Sequence, residues 1–165
     1  MAYFDLVNMN APEPKLQRLL GFKKIFSTDD IPIVSIPNAH AEKCIVKSPE
    51  QGILRSAVRK NNVIGIMITD NELLRIVIED SKEADKTIFL SVHDFTCVDT
   101  NKQLRNLHRA KTMLRFAMRS KAKVGLVSMA NDDSCLLSSM QMLELAMFLS
   151  GSEEYAKTML AGWYQ

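Results

Sequence analysis

The run Val63-Ile64-Gly65-Ile66-Met67-Ile68 sets the tightest limit on what this chain can fold into. It is far shorter than the roughly 20 apolar residues that cross a bilayer. It also lacks the polar alternation of a strand with one wet face, so it reads as a strand covered on both sides. Six further segments read as short strands, at 3–7, 24–26, 32–36, 43–47, 87–92 and 124–129. Strands of this kind separated by helical patterns imply parallel pairing through right-handed crossovers. About seven mainly parallel strands fit a compact α/β barrel, or an open doubly wound sheet if the barrel does not close. A full eightfold barrel takes about 200 residues or more. The 165 residues here imply a trimmed TIM-like barrel forming a single domain over 1–165.

Local signals place the helices between these strands. Pro12 or Pro14 can open a helix through Leu16, Leu19 and Leu20 that stops at Gly21. Ser48, with Pro49 following, reads as the cap of a helix burying Ile53, Leu54, Ala57 and Val58. Asp70 or Asn71 reads as the cap of the next helix, which carries Leu73, Leu74, Val77 and Ile78. A helix near 138–149 stops at Gly151, and Ser152-Glu-Glu-Tyr caps a last one that ends near Gly162.

Apolar residues make up 47% and charged residues 24%, which excludes disordered, collagenous and coiled-coil classes. The opening MAYFDLVNMN lacks a basic segment leading into an apolar one, so a cytoplasmic, membrane-free location is expected. Cys44, Cys97 and Cys135 are odd in number and far apart, with no C-x-x-C pair, so neither a disulfide framework nor a thiolate zinc site is expected. The ten methionines are expected to fill core gaps.

The net charge of +2 conceals a sharp asymmetry. Between residues 101 and 123 lie eight cations, Lys102, Arg105, Arg109, Lys111, Arg115, Arg119, Lys121 and Lys123, and no acid. The remainder of the chain has 13 basic and 19 acidic residues. On a helical wheel Leu107, Ala110, Met113, Leu114, Ala117 and Met118 fall within about 140°. The cations and His108 cover the other half, where only Leu104 and Phe116 interrupt them. Arg105–Arg109 and Arg115–Arg119 are like charges one turn apart, which an isolated helix disfavours by a few tenths of a kcal/mol each. A polyanion turns that repulsion into attraction, and the planar arginine fork grips two phosphate oxygens at once. With only Phe116 to stack, the expected RNA contact is to backbone and shape rather than to bases. The alternatives are a solvated face whose arginines pair with neighbouring acids, or a face docked on an acidic protein. Arg55, Arg59 and Lys60 form a weaker basic group, expected to be solvated surface.

Catalytic chemistry is hard to find. In a barrel the residues after each strand line the face where active sites form, here Asn8, Asp70, His93, Asp94, Asn131, Asp132 and Asp133. Only His93-Asp94 resembles an acid/base pair, and neighbours in an extended segment point apart. His40 and His108 are isolated. No H-x-H, H-E-x-x-H, G-x-G-x-x-G or P-loop motif occurs, and Ser128 lacks the glycines of a nucleophile elbow. No catalytic or metal-binding residue is assigned. A small enzyme acting on a phosphorylated or anionic substrate near His93 and Asp94 is the alternative to a binding protein.

The chain resembles the archaeal ribonuclease P protein component 3 family, the counterpart of the eukaryotic thirty-kilodalton subunit. The resemblance runs through FDL at 4–6, LLGFKKI at 19–25, IVKSPE at 45–50 with Leu54-Arg55-Ser56-Ala57, and VIGIMI. It continues through RNLHRAKTMLRFAMRSKAKVGLVS at 105–128, its most specific block, to FLSG at 148–151. It departs from the family at Ser128-Met129-Ala130 and Ser138-Ser139-Met140-Gln141-Met142, where the family commonly has Ser-Gly-Ala and an Arg-Ser-Pro-Arg-Asp turn. Related metal-dependent barrels carry histidines where Asn8 and Asn10 stand. The resemblance implies a non-catalytic barrel subunit that supports a catalytic RNA in removing 5′ leaders from precursor tRNA. It also implies pairing with ribonuclease P protein component 2 in a two-plus-two assembly, beside the RNA and the other ribonuclease P proteins. Precursor tRNA would be met indirectly. No cofactor would be held by the protein, and Mg2+ would sit on the RNA. Residues 129–165, with five acids and one lysine, are a candidate partner surface.

Overall fold

The computed structural model describes residues 2–36, 43–68, 75–96 and 100–163. Seven strands form where seven are expected: β1 (Phe4–Val7), β2 (Lys24–Ser27), β3 (Ile33–Val34), β4 (Cys44–Ser48), β5 (Val63–Ile68), β6 (Thr87–Ser91) and β7 (Val124–Val127). Every pairing is parallel. The strands fall into two sheets, β1-β2 and β3-β4-β5-β6-β7, rather than one closed ladder. The opening lies between β2 and β3. There the carbonyl of Ser27 accepts from Asp30 N–H and Ile31 N–H, both at 3.1 Å, and turns the chain away from a β2–β3 pairing. At the other end the two sheets are stitched together. Met129 N–H donates to Leu6 O and Asn8 N–H to Ala130 O, both at 2.9 Å.

Each strand sends alternate side chains to two different cores, as a period of two requires. Phe4, Leu6, Phe26, Ile45, Met67, Phe89, Val127 and Trp163 make an inner cluster shared by both sheets. Val7, Ile25, Val46, Ile66, Ile88 and Leu126 face the helices instead. The inner space is filled by rings: Trp163 stands edge-on to Phe89 with centroids 5.3 Å apart and to Phe26 at 5.9 Å. Gly65 and Gly125 make that possible. A Cβ on Gly65 would lie 2.3 Å from Thr87 O and 2.5 Å from the Phe89 ring, and one on Gly125 would crowd Phe89 and Trp163 at 3.1 Å.

The helices are α1 (Pro14–Leu19), α2 (Gln51–Val58), α3 (Arg75–Glu83), α4 (His93–Thr96), α5 (Thr100–Ser120), α6 (Ser139–Ser150) and α7 (Glu153–Ala161). Proline opens α1, and Gly21 follows it with φ of 81°. Ser138 and Gln141 form a reciprocal capping box on α6, left-handed Gly151 ends it, and Ser152 caps α7. Ser48 does not cap α2. It closes β4 and its hydroxyl accepts from Glu50 N–H at 3.1 Å, while Glu50 takes the cap position without a side-chain bond. The expected cap at Asp70 or Asn71, with Leu73 and Leu74, lies outside the described residues, but Val77 and Ile78 are buried on α3 as expected. The methionines divide: Met67, Met113, Met142 and Met159 are core, whereas Met140 and Met147 are exposed on α6. Among the described residues no helix is long and apolar enough to cross a membrane.

The two kinds of glycine should separate in a denaturant titration. Gly65→Ala is expected to lose about 1–3 kcal/mol, because a backbone carbonyl cannot move aside as a side chain can. Gly52→Ala, with nothing within 4 Å of its added methyl on α2, is expected to gain about 0.5 kcal/mol. Equal effects at the two sites would mean that the inner cluster is loosely packed.

Candidate nucleic-acid interface

The amphipathic division of α5 is realised residue by residue. Ala110, Met113, Leu114 and Ala117 are buried at the i, i+3, i+4, i+7 spacing of one helix face. Leu107 and Met118, expected with them, are half-buried at the margins. Lys102, Arg105, Arg115 and Arg119 are exposed and Arg109 and Lys111 half-exposed, on a helix packed between α3 and α6. Leu104 is 63% exposed among them, an apolar residue on the cationic face as the wheel indicates.

The ion pairs decide how much of this charge is satisfied internally. Among the described residues no carboxylate pairs with Arg105, Arg109, Arg115 or Arg119. Lys111 rests its ammonium 4.0 Å above the Phe148 ring of α6. Lys123 differs from the rest, because Asp85 holds its ammonium at 2.7 Å. Lys121 occupies the residue after α5 with φ of 60°. Ala122 N–H donates to Ala117 O and Lys121 N–H to Met118 O, the double bond pattern that usually carries glycine here. Arg55 is not free surface, since its Nε lies 2.7 Å from Asp80 Oδ2 and ties α2 to α3.

At the C-terminal ends of the strands the structure brings together three of the anticipated residues. Asn8 Nδ2 donates to Asn131 Oδ1 at 2.9 Å, and Asn131 Nδ2 meets His93 Nε2 at 3.4 Å. Nδ1 of His93 is buried with no hydrogen-bond partner among the described residues. Asp94 is not its partner: the two open the short α4 rather than an extended segment, and Asp94 lies 3.7 Å from Lys47. Asp132 caps the 3-10 turn Asp133–Cys135, and the Ser134 hydroxyl bonded to its carboxylate holds it below the usual carboxylate range. Asp70, His40 and Cys97 lie outside the described residues, and Cys44 and Cys135 form no disulfide among the described residues. Among the described residues no three potential ligands cluster to hold a metal ion. The cluster is a rim of neutral amides around one imidazole, able to orient polar groups but lacking a carboxylate to drive proton transfer.

One buried acid escaped the sequence reading. Asp5 on β1 is fully buried, and its Oδ1 accepts from Leu6 N–H at 2.8 Å and Ser128 N–H at 2.7 Å. Its Oδ2 accepts from the Ser128 hydroxyl at 2.6 Å. Serine against carboxylate suggests a nucleophile. Ser128 is itself buried at 3% exposure, however, and spends both donors on the same carboxylate, so the pair is a clamp between β1 and the end of β7. Desolvation pushes the Asp5 carboxyl up to about 6 despite those bonds.

The fold is an all-parallel α/β fold with both faces of its strands covered and an arginine-rich helix on the outside. No protein-family model matches the sequence, and no curated protein matches it. A chain in the cryo-EM structure of archaeal ribonuclease P with mature tRNA shares its fold, with a TM-score of 0.69. The match covers 94% of this chain and 76% of that one at 13% identity.

Two outcomes follow from these sites. The native state holds a proton on Asp5 up to about pH 6 whereas the unfolded chain releases it near 3.8. Its stabilising contribution is therefore complete below pH 3.8 and lost as pH rises through 6, a change of about 3 kcal/mol. Asp5→Asn should flatten that part of the profile in urea titrations from pH 4 to 7, and parallel profiles for the two proteins would refute the assignment. Lys121→Gly should raise stability by about 1 kcal/mol by relieving the left-handed backbone, while lowering affinity for RNA if that lysine meets phosphate.

Proposed function

We propose that this chain is a protein subunit of ribonuclease P, of the component 3 kind, built as a trimmed and incompletely closed α/β barrel. The observation that carries the reading is the outer face of α5, where four arginines have no acidic partner among the described residues. No acid among the described residues compensates that charge, and phosphate does so with the right geometry. The fold likeness to a chain of an archaeal ribonuclease P, and the resemblance of the 105–128 block to the component 3 family, supply the particular polyanion.

In this reading α5 docks on the catalytic RNA through Lys102, Arg105, Arg109, Lys111, Arg115, Arg119, Lys121 and Lys123. Lys123 contributes least because Asp85 already neutralises it. The protein holds no catalytic residue and no metal; Mg2+ belongs to the RNA, which cuts the 5′ leader from precursor tRNA. Component 2 is the expected protein partner in a two-plus-two assembly, with other ribonuclease P proteins around it, in the cytoplasm. Its surface falls within 129–165, where Met140 and Phe148 expose 60% and 58% of their area on α6.

The test is reconstitution of precursor tRNA cleavage from catalytic RNA and the other protein components, with and without this chain. Omission is expected to reduce cleavage severely at moderate magnesium. The Arg105→Glu/Arg109→Glu protein should weaken RNA binding about tenfold or more while melting normally. With about five phosphate contacts, log affinity should fall against log salt with a slope of roughly −3.5 to −4.5. Unchanged cleavage on omission of a folded chain would defeat the assignment.

A further inference from the structure

The cationic surface does not stop at the edge of α5. Arg75, at the described start of α3, converges with Arg115 and Arg119 of α5 on a cleft of about 210 Å3 between the two helices. Thr112 and Phe116 complete its walls, and among the described residues no carboxylate lines it. That volume is roughly seven waters' worth, room for a phosphate group with part of its sugar.

Three guanidinium groups around one small cleft repel one another, and a fold with no use for the arrangement would place an acid there. Asp80, on the same helix as Arg75, is instead committed to Arg55. Arg75 is also held in place, its guanidinium carbon 5.4 Å from the Phe116 ring centroid. A cation–π contact of this kind leaves the donor edge of the fork free while removing rotamer freedom that an anion would otherwise have to freeze. Phe116, which interrupts the cationic stripe when α5 is considered alone, thereby acquires a purpose: it is the platform on which an arginine from another helix lies.

We infer that the α3–α5 cleft seats one backbone phosphodiester of the bound RNA, so that the footprint crosses from α5 onto α3 through Arg75. This rests on the RNA-binding reading above and deepens it. A backbone phosphate suits the cleft better than a free anion because the cleft is the end of a row. From Arg119 back to Lys102 the exposed cations run about 25 Å along the helix, a length that one small ion leaves unused and a nucleic-acid strand follows.

A double-mutant cycle tests it, with the RNA component of an archaeal ribonuclease P as the probe and full-length protein throughout. Arg75→Gln and Arg119→Gln are each expected to weaken binding about three- to tenfold and to lower the steepness of the salt dependence by about 0.7–0.9. The two losses should combine to less than their product, since both arginines grip the same phosphate. Arg59→Gln, at an exposed position after α2, is the control and should change nothing. Arg75→Gln binding like the control, or multiplying fully with Arg119→Gln, would overturn the shared seat. If Arg105→Glu/Arg109→Glu still weakens binding in that case, the α5 interface stands and only the cleft falls; if it too is silent, the RNA reading falls as well. Saturable binding of inorganic phosphate alone, abolished by Arg75→Gln, would assign the cleft to a free anion instead.

Discussion

The bond from the Ser128 hydroxyl to the Asp5 carboxylate, reinforced by two backbone N–H groups on the same side chain, joins two sheets that otherwise share no strand ladder. β1 and β2 are a two-stranded unit, too small to be stable by itself. Its attachment to the five-stranded sheet decides whether Phe4, Leu6 and Phe26 reach the inner cluster. A carboxylate is a costly instrument for this, because burial opposes its charge. It offers what an apolar pair cannot: two directed bonds from Ser128 that fix β1 in one register against the end of β7, where a slip by one residue would turn its core side chains outward.

The inner cluster is plugged by Trp163 and Phe89, and the mouth at the strand ends is lined by the Asn8–Asn131–His93 amides and imidazole. The strand ends also hold the Lys47–Asp94 ion pair and Asp132, whereas four arginines without an acidic partner among the described residues share α5. α5, at 21 residues the longest of the described helices, carries those four outside its buried face.

How much of this the sequence discloses depends on the range of the interaction. The seven strands and the buried face of α5 are legible because each is a local period in hydrophobicity, and the caps at Ser138 and Ser152 because they act within three residues. Asp5 and Ser128 are 123 positions apart, and neither sits in a local pattern that marks it. Arg75 likewise belongs to no local pattern, and its place beside Arg115 and Arg119 emerges only when α3 packs on α5. The error at Ser48 has the opposite origin: a Ser-Pro pair is a sound start signal, but β4 extends one residue beyond the expected segment 43–47 and takes the serine for its last rung. The division into two sheets was illegible because it turns on whether the chain after β2 continues straight, and Ser27 with Asp30 folds it back.

On α5 the groups that hold the helix to the protein and the groups that face outward are interleaved along one rigid rod. Arg109 precedes Ala110, Met113 precedes Leu114 and Arg115, and Ala117 lies two before Arg119. Each added or removed residue rotates everything beyond it by about 100°. An insertion would therefore carry arginines into the core and methionines to the surface in the same stroke. The side chains of this helix are free to vary in kind within their two classes, but its length between Thr100 and Ser120 is not. In a lineage of such proteins the spacing should drift far less than the letters.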